Sequence, residues 1–258
     1  MKLHKITLTL YLLLGAGGLV LAQAPVGDGA SKSGLANAVV EKEGTWLSYR
    51  DAYKLMLRFE KYGKPKNLIQ HHLQIRLRDK VDAGGDEFSR LRLRLVSTSL
   101  RLDLPIDAAG RVALPLLKSA YDENAELVFN QKLERVQMLG RIAVAIRADG
   151  IYEVADLRAA CEQALAYENF IGNDNTREKK CAGVRFIYGK KEANPAVELR
   201  SAERTDRASQ NLVAADGGAF WGDTNDFFRT IPYNFSSNAE KVQLITRSAP
   251  ILIAPQFN

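Results

Sequence analysis

Histidine is nearly missing from this chain, with three in 258 residues, and that scarcity narrows the available chemistry before any motif is sought. His4 sits in the N-terminal leader, which leaves the neighbours His71 and His72 as imidazoles for a zinc site or a hydrolytic triad. Adjacent residues on a strand point to opposite faces, so this pair does not readily supply two ligands to one metal. No Gly-x-Ser-x-Gly elbow accompanies either histidine, although a triad through one of them stays open. The chain also lacks a phosphate loop, a dinucleotide fingerprint and a His-Glu-x-x-His helix. The expectation is therefore no catalytic residue, no metal and no cofactor. A pair of glycosidase acids remains open, because its requirement is spatial and not sequential. Cysteine is almost as scarce, at two residues with no Cys-x-x-Cys pair, so a redox-active dithiol is not expected. No repeat of fixed period suggests a solenoid or propeller.

The first residues carry an address. Lys2 and Lys5 precede an uncharged run through Leu14, then small residues from Gly15 to Gly18 and the sequence Val20-Leu21-Ala22. That is the layout of a secretory signal peptide over residues 1–22. Cutting after Ala24 would require hydrolysis of the amide to Pro25, so the mature start falls at Gln23. No cysteine lies at the junction, which removes a lipid anchor. The uncharged stretch 6–27 is 22 residues long, enough to cross a bilayer if it were retained; its glycines and short apolar core favour cleavage, leaving no transmembrane span in the mature chain. Loss of Lys2 and Lys5 turns 36 basic residues against 30 acidic into 34 against 30, a formal charge of +4 on 236 residues. A periplasmic or secreted location follows, and no nucleic-acid partner is expected. Residues 23–45, with Gly27, Gly29, Gly34, Ser31 and Ser33, read as a flexible tether.

Beyond Trp46 the periodicities predict an α+β, β-rich fold. Ser48 is placed to cap a helix over 49–62, with Gly63 and Pro65 as stop signals, although the same stretch also carries a strand-like alternation. Leu73, Ile75 and Leu77 alternate with Gln74, Arg76 and Arg78; after a turn over 82–86, Leu91, Leu93 and Leu95 alternate with Arg90, Arg92 and Arg94. This pattern predicts an antiparallel pair with one buried face. Leu100, Leu102 and Leu104 follow on even numbers, and Asp107-Ala108-Ala109-Gly110 closes a hairpin back into Val112 and Leu114. Further strands fit 126–129 and 136–146. Residues 46–150 thus form an antiparallel sheet or small sandwich. After Gly150 the spacing of Val154, Leu157, Cys161, Ala164 and Leu165 predicts a helix over 154–170. Strands over 181–188, 197–200, 227–233, 242–246 and 251–254 complete an α+β half, 151–258, which is either a second domain or continuous with the first.

Several of these segments carry a resemblance. The stretch 49–62 with Lys64-Pro65, the strand 68–78, the run Leu102-Asp103-Leu104-Pro105-Ile106-Asp107-Ala108-Ala109-Gly110-Arg111-Val112-Ala113-Leu114-Pro115, and Asn124-Ala125-Glu126-Leu127-Val128-Phe129 resemble an uncharacterised family of exported proteobacterial proteins, over residues 46–147. The hairpin is also similar to the strand-turn-strand of transthyretin-like accessory domains. The resemblance implies a bacterial periplasmic setting and no activity.

Three features remain as candidates for chemistry. Cys161 and Cys181 are the only pair available, and an oxidising compartment favours a disulfide between the helix and the following strand. The loop Asp223-Thr224-Asn225-Asp226, beside Phe220 and Trp221, has oxygen ligands and an aromatic suited to calcium or sugar, but lacks EF-hand spacing and reads mainly as a capped turn. Arg76, Arg78, Arg90, Arg92, Arg94 and Arg101 are expected on the polar face of neighbouring strands, where bidentate contacts could hold an anionic envelope component or an acidic protein. A solvated face is the plainer reading. Two functions follow: a non-catalytic envelope binding or structural module, and a periplasmic hydrolase of an envelope polymer.

Overall fold

Residues 44–77, 88–201, 210–236 and 242–258 are described by a computed structural model. The signal peptide, almost all of the tether, Arg78 and the turn 82–86 lie outside the described residues. The short strand β1 (Trp46–Ser48) leads into helix α1 (Tyr49–Glu60), and the Ser48 hydroxyl accepts from the Asp51 N–H at 3.3 Å. At the other end the Phe59 carbonyl accepts from the Tyr62 N–H at 3.1 Å, closing the last turn, and the Lys66 ammonium donates to the Phe59 and Glu60 carbonyls, at 2.5 and 2.8 Å. The helix therefore stops two residues before its predicted end. Replacing Ser48 with Ala should cost about 1 kcal/mol, read as a lower urea midpoint; an unchanged midpoint would mean that water replaces the hydroxyl.

Among the described residues fifteen strands form three sheets, and every strand pairing is antiparallel. β1 joins β3 (Leu93–Val96), β4 (Arg101–Leu104) and β6 (Glu126–Phe129) in a four-stranded sheet of order β1-β6-β3-β4. A seven-stranded sheet uses β2 (Ile69–Leu77), β5 (Arg111–Val112), β7 (Val136–Val144), β9 (Cys181–Gly189), β12 (Ala215–Gly217), β13 (Phe228–Asn234) and β15 (Leu252–Phe257), in the order β12-β13-β9-β15-β7-β2-β5. The third contains β8 (Ile151–Glu153), β10 (Val197–Ser201), β11 (Gln210–Asn211) and β14 (Val242–Thr246). Helices α2 (Lys118–Asp122) and α3 (Val154–Phe170) complete the set. Strands from before and after Gly150 meet where Ile253 of β15 pairs with Val144 of β7.

Two expected pairings are corrected. β2 and β3 are not partners: β2 runs beside β7 and β5, whereas β3 lies between β6 and β4. Alternation shows which side of a strand is apolar and says nothing of its neighbour. β2 is in fact covered on both sides, since Gln74 is buried along with Leu73 and Ile75. The predicted hairpin 102–114 also divides. Its turn forms, with Gly110 at φ 74° and the Asp107 carboxylate accepting from the Ala109 and Arg111 N–H groups at 2.9 and 2.8 Å. Yet Pro105 has no N–H to donate and β4 ends before it, so the turn links two sheets through a single Ile106–Val112 bridge.

Burial explains the layering. Tyr49 and Ala52 of α1, Leu93 and Leu95 of β3, Leu127 and Phe129 of β6, and Leu73 and Ile75 of β2 share one core, so the four-stranded sheet turns its apolar face to the β2 end of the large sheet. A second core packs Leu157, Ala160, Ala164 and Tyr167 of α3 on Val184, Phe186, Ile231 and Ile253. A third lies on the opposite face of the large sheet, where Ala219 and Phe220 cover Ala143, Ile187, Leu252 and Ala254. Cys161 on α3 and Cys181 at the start of β9 form a disulfide, with Cα atoms 5.9 Å apart, pinning the helix to the sheet it covers. No described helix is long and apolar enough to cross a membrane.

Candidate anion-binding surface

The four-stranded sheet is apolar on one side only. Leu93 and Leu95 are buried while Arg92 and Arg94 between and beside them are exposed. On the edge strand β4, Arg101 and Asp103 stand outward in register with Val96 and Arg94. The same register continues through Val128 to Trp46, giving an outward row Trp46, Val128, Arg94, Asp103, with Ser48, Glu126, Val96 and Arg101 in the next. Trp46 is 51% exposed. Asn130 ties the base of this face: its side chain accepts from the Arg92 N–H at 2.9 Å and donates to the Arg90 carbonyl at 3.2 Å. Arg94 pairs with Asp103 at 2.8 Å, both well exposed, which is worth at most about 1 kcal/mol and is easily exchanged for another anion.

The six predicted arginines are thereby divided. Arg90, Arg92, Arg94 and Arg101 belong to the four-stranded sheet or the residues leading into it, whereas Arg76 lies on the large sheet and Arg78 is outside the described residues. The Arg76 guanidinium reaches toward Asp223, 3.8 Å away, and the same Asp223 oxygen accepts from Arg141 at 3.1 Å. The other Asp223 oxygen accepts from the Phe220 N–H at 3.0 Å, and the Trp221 indole donates to the Phe257 carbonyl at 3.1 Å. The loop read as suited to calcium or sugar spends this carboxylate and this indole on its own fold. Arg141 and Arg185 escaped the sequence reading because each interrupts an apolar strand, between Gly140 and Ile142 and between Val184 and Phe186. An arginine inside such a run was the available signal.

His71 and His72 do point to opposite faces of β2. His71 stacks on Phe59 with ring centres 5.2 Å apart and meets Tyr167 edge-on at 5.6 Å. His72 lies on the side of Asp107 and Arg111. Burial lowers both imidazoles to about 4, with a smaller push from His72 on His71 and from Arg111 on His72, so both are neutral near pH 7. No family model matches this chain, and no curated protein or solved structure matches it either.

Proposed function

We propose that the protein is an exported, non-catalytic binding module of the bacterial envelope that engages an anionic polymer through the outward face of its four-stranded sheet. The observation that carries this reading is the grouping of exposed Arg92, Arg94 and Arg101 with exposed Trp46 on one face, where Asp103 and Glu126 are the acids in the strand register. Guanidinium groups suit carboxylates and phosphates bidentately, and an indole supplies a flat apolar surface beside them. A periplasmic or secreted location is supported by the leader over 1–22 and by the Cys161–Cys181 disulfide, which an oxidising compartment permits. The resemblance of residues 46–147 to exported proteobacterial proteins supports the bacterial setting.

Each basic side chain close to an anionic surface is worth about 1 kcal/mol. Changing Arg92, Arg94 and Arg101 together to Gln should therefore weaken salt-sensitive retention on envelope fractions by roughly a hundredfold. All three side chains are exposed, so the variant should melt with the wild type. Unchanged retention would refute the assignment of binding to this face.

A further inference from the structure

We infer that Arg76, Arg141 and Arg185 form a second, smaller site, a seat for a single phosphate group on the opposite face of the large sheet from α3. The three come from different strands, β2, β7 and β9, and are brought together by register and by the 218–223 loop that covers this face. Arg141 is fixed from two sides. Its Nε donates to the Gln74 side-chain oxygen at 2.9 Å, and buried Gln74 in turn donates to the Ala109 carbonyl at 3.0 Å. Its Nη2 donates to Asp223 at 3.1 Å, and the Phe220 ring lies 5.2 Å from its guanidinium carbon. Arg185 donates from Nη2 to the Phe220 carbonyl at 2.9 Å, while its buried Nε has no hydrogen-bond partner among the described residues.

Charge counting makes this arrangement unbalanced. The guanidinium groups of Arg76 and Arg141 face the Asp223 carboxylate, whose charge also acts on Arg185, and that one carboxylate is already occupied by Arg141 and by the Phe220 N–H. Burial pushes Arg141 below its ordinary value; Asp223 and, more weakly, Glu168 oppose that push, and Arg76 adds to it. Glu168 offers limited relief, because burial pushes its own carboxyl up and its oxygen accepts from Asn173 at 2.8 Å. Partly desolvated positive charge without a counterion is unfavourable, and a bound anion removes that penalty. Exposure shows the direction of approach: Arg76 is 44% exposed and Arg141 21%, against 5% for Asp223. An incoming anion meets guanidinium groups, with the acid behind them as their strut. A phosphate group brings a charge close to −2 and three acceptor oxygens, matching both the excess charge and the unused N–H groups better than a second carboxylate would.

The full chain, titrated by calorimetry with inorganic phosphate at constant ionic strength, should bind saturably, and chloride or acetate should not substitute. Arg76→Gln, altered at the exposed member of the trio, should weaken phosphate at least tenfold while melting normally. The Arg92, Arg94, Arg101 triple variant should bind phosphate as the wild type does, which separates this site from the polymer-binding face. Glycerol phosphate and vesicles containing phosphatidic acid then distinguish a free or polymer-borne phosphate from a lipid headgroup; retention of either that depends on Arg76 supports the site. A response that follows ionic strength whatever the anion, or phosphate binding that survives Arg76→Gln, overturns it.

Discussion

Acidification from pH 7 to pH 4 should destabilise the protein by about 3 kcal/mol through His71 alone, and by roughly twice that through His71 and His72 together. Both imidazoles titrate at about 4 in the folded chain, below the ordinary value of 6.5. Above pH 6.5 they are neutral whether the chain is folded or not and leave stability flat. Between 6.5 and 4 the unfolded chain takes up protons that the folded chain refuses, so stability falls as pH falls; below 4 both states are protonated and the loss levels off. The physical origin is the packing around β2. His71 lies between Phe59 and Tyr167, and Gly140, diagonally across on β7, lies against it, since a Cβ there would stand 2.5 Å from the imidazole Nε2. A charge at that position has aromatic rings where it needs water. His72 meets the positive field of Arg111, which Asp107 only partly offsets. Charging one imidazole also opposes charging its neighbour, a repulsion that helps hold His71 low and adds to the loss when both are charged. Urea midpoints measured from pH 7 to 4 should track this slope, and His71→Gln should flatten it. A slope unchanged in that variant would assign acid sensitivity to carboxylates instead. Asp149, held at about 2 by Arg147, loses its contribution only in a lower window, between 3.8 and 2.

Removal of the disulfide should be comparably damaging. The bridge joins residues separated by 20 in sequence, and releasing a loop of that length from the unfolded ensemble costs about 3 kcal/mol in the chain-entropy picture. Its position adds a second consequence. Cys161 is fully buried on α3, beside Leu157, Ala160 and Ala164, which form the helix's contact with the large sheet. Without the bridge, α3 keeps its apolar face but loses the covalent tie to the first residue of β9. Cys161→Ala with Cys181→Ser removes the bond without stranding a lone thiol, and should lower the urea midpoint to match that of the wild type under reductant. Equal midpoints with and without reductant in the wild type would mean that the bond contributes nothing to stability.

Much of the local structure was legible because it depends on neighbours in sequence. The helix over 154–170 follows from the spacing of Val154, Leu157, Cys161, Ala164 and Leu165; the first four are buried, Leu165 is half-buried, and Ala160 and Tyr167 complete the buried face. The start of α1 was marked by Ser48, and the turn at Asp107–Gly110 by residues whose side chain or positive φ the turn requires. β1, β8, β11 and β12 were not legible, since two or three residues carry no period. Strand partnership was misread for a different reason. A strand with apolar residues on alternate positions is satisfied by any neighbour in register, and β2 is satisfied by β7, separated from it by nearly sixty residues of chain in this fold.

The arginines show the division most clearly. By itself the sequence determined that Arg92 and Arg94 would face away from Leu93 and Leu95, because adjacent side chains on a strand must leave by opposite sides. It also determined that His71 and His72 would part company, and that one cysteine pair was available to bridge. Tertiary structure alone decided that Arg76 would leave that stripe for Asp223, and that Arg141 and Arg185 would join it from strands remote in sequence. Periodicity is a property of a few consecutive residues, whereas a charge cluster is a property of sheet order, and sheet order is set by how whole apolar faces are covered.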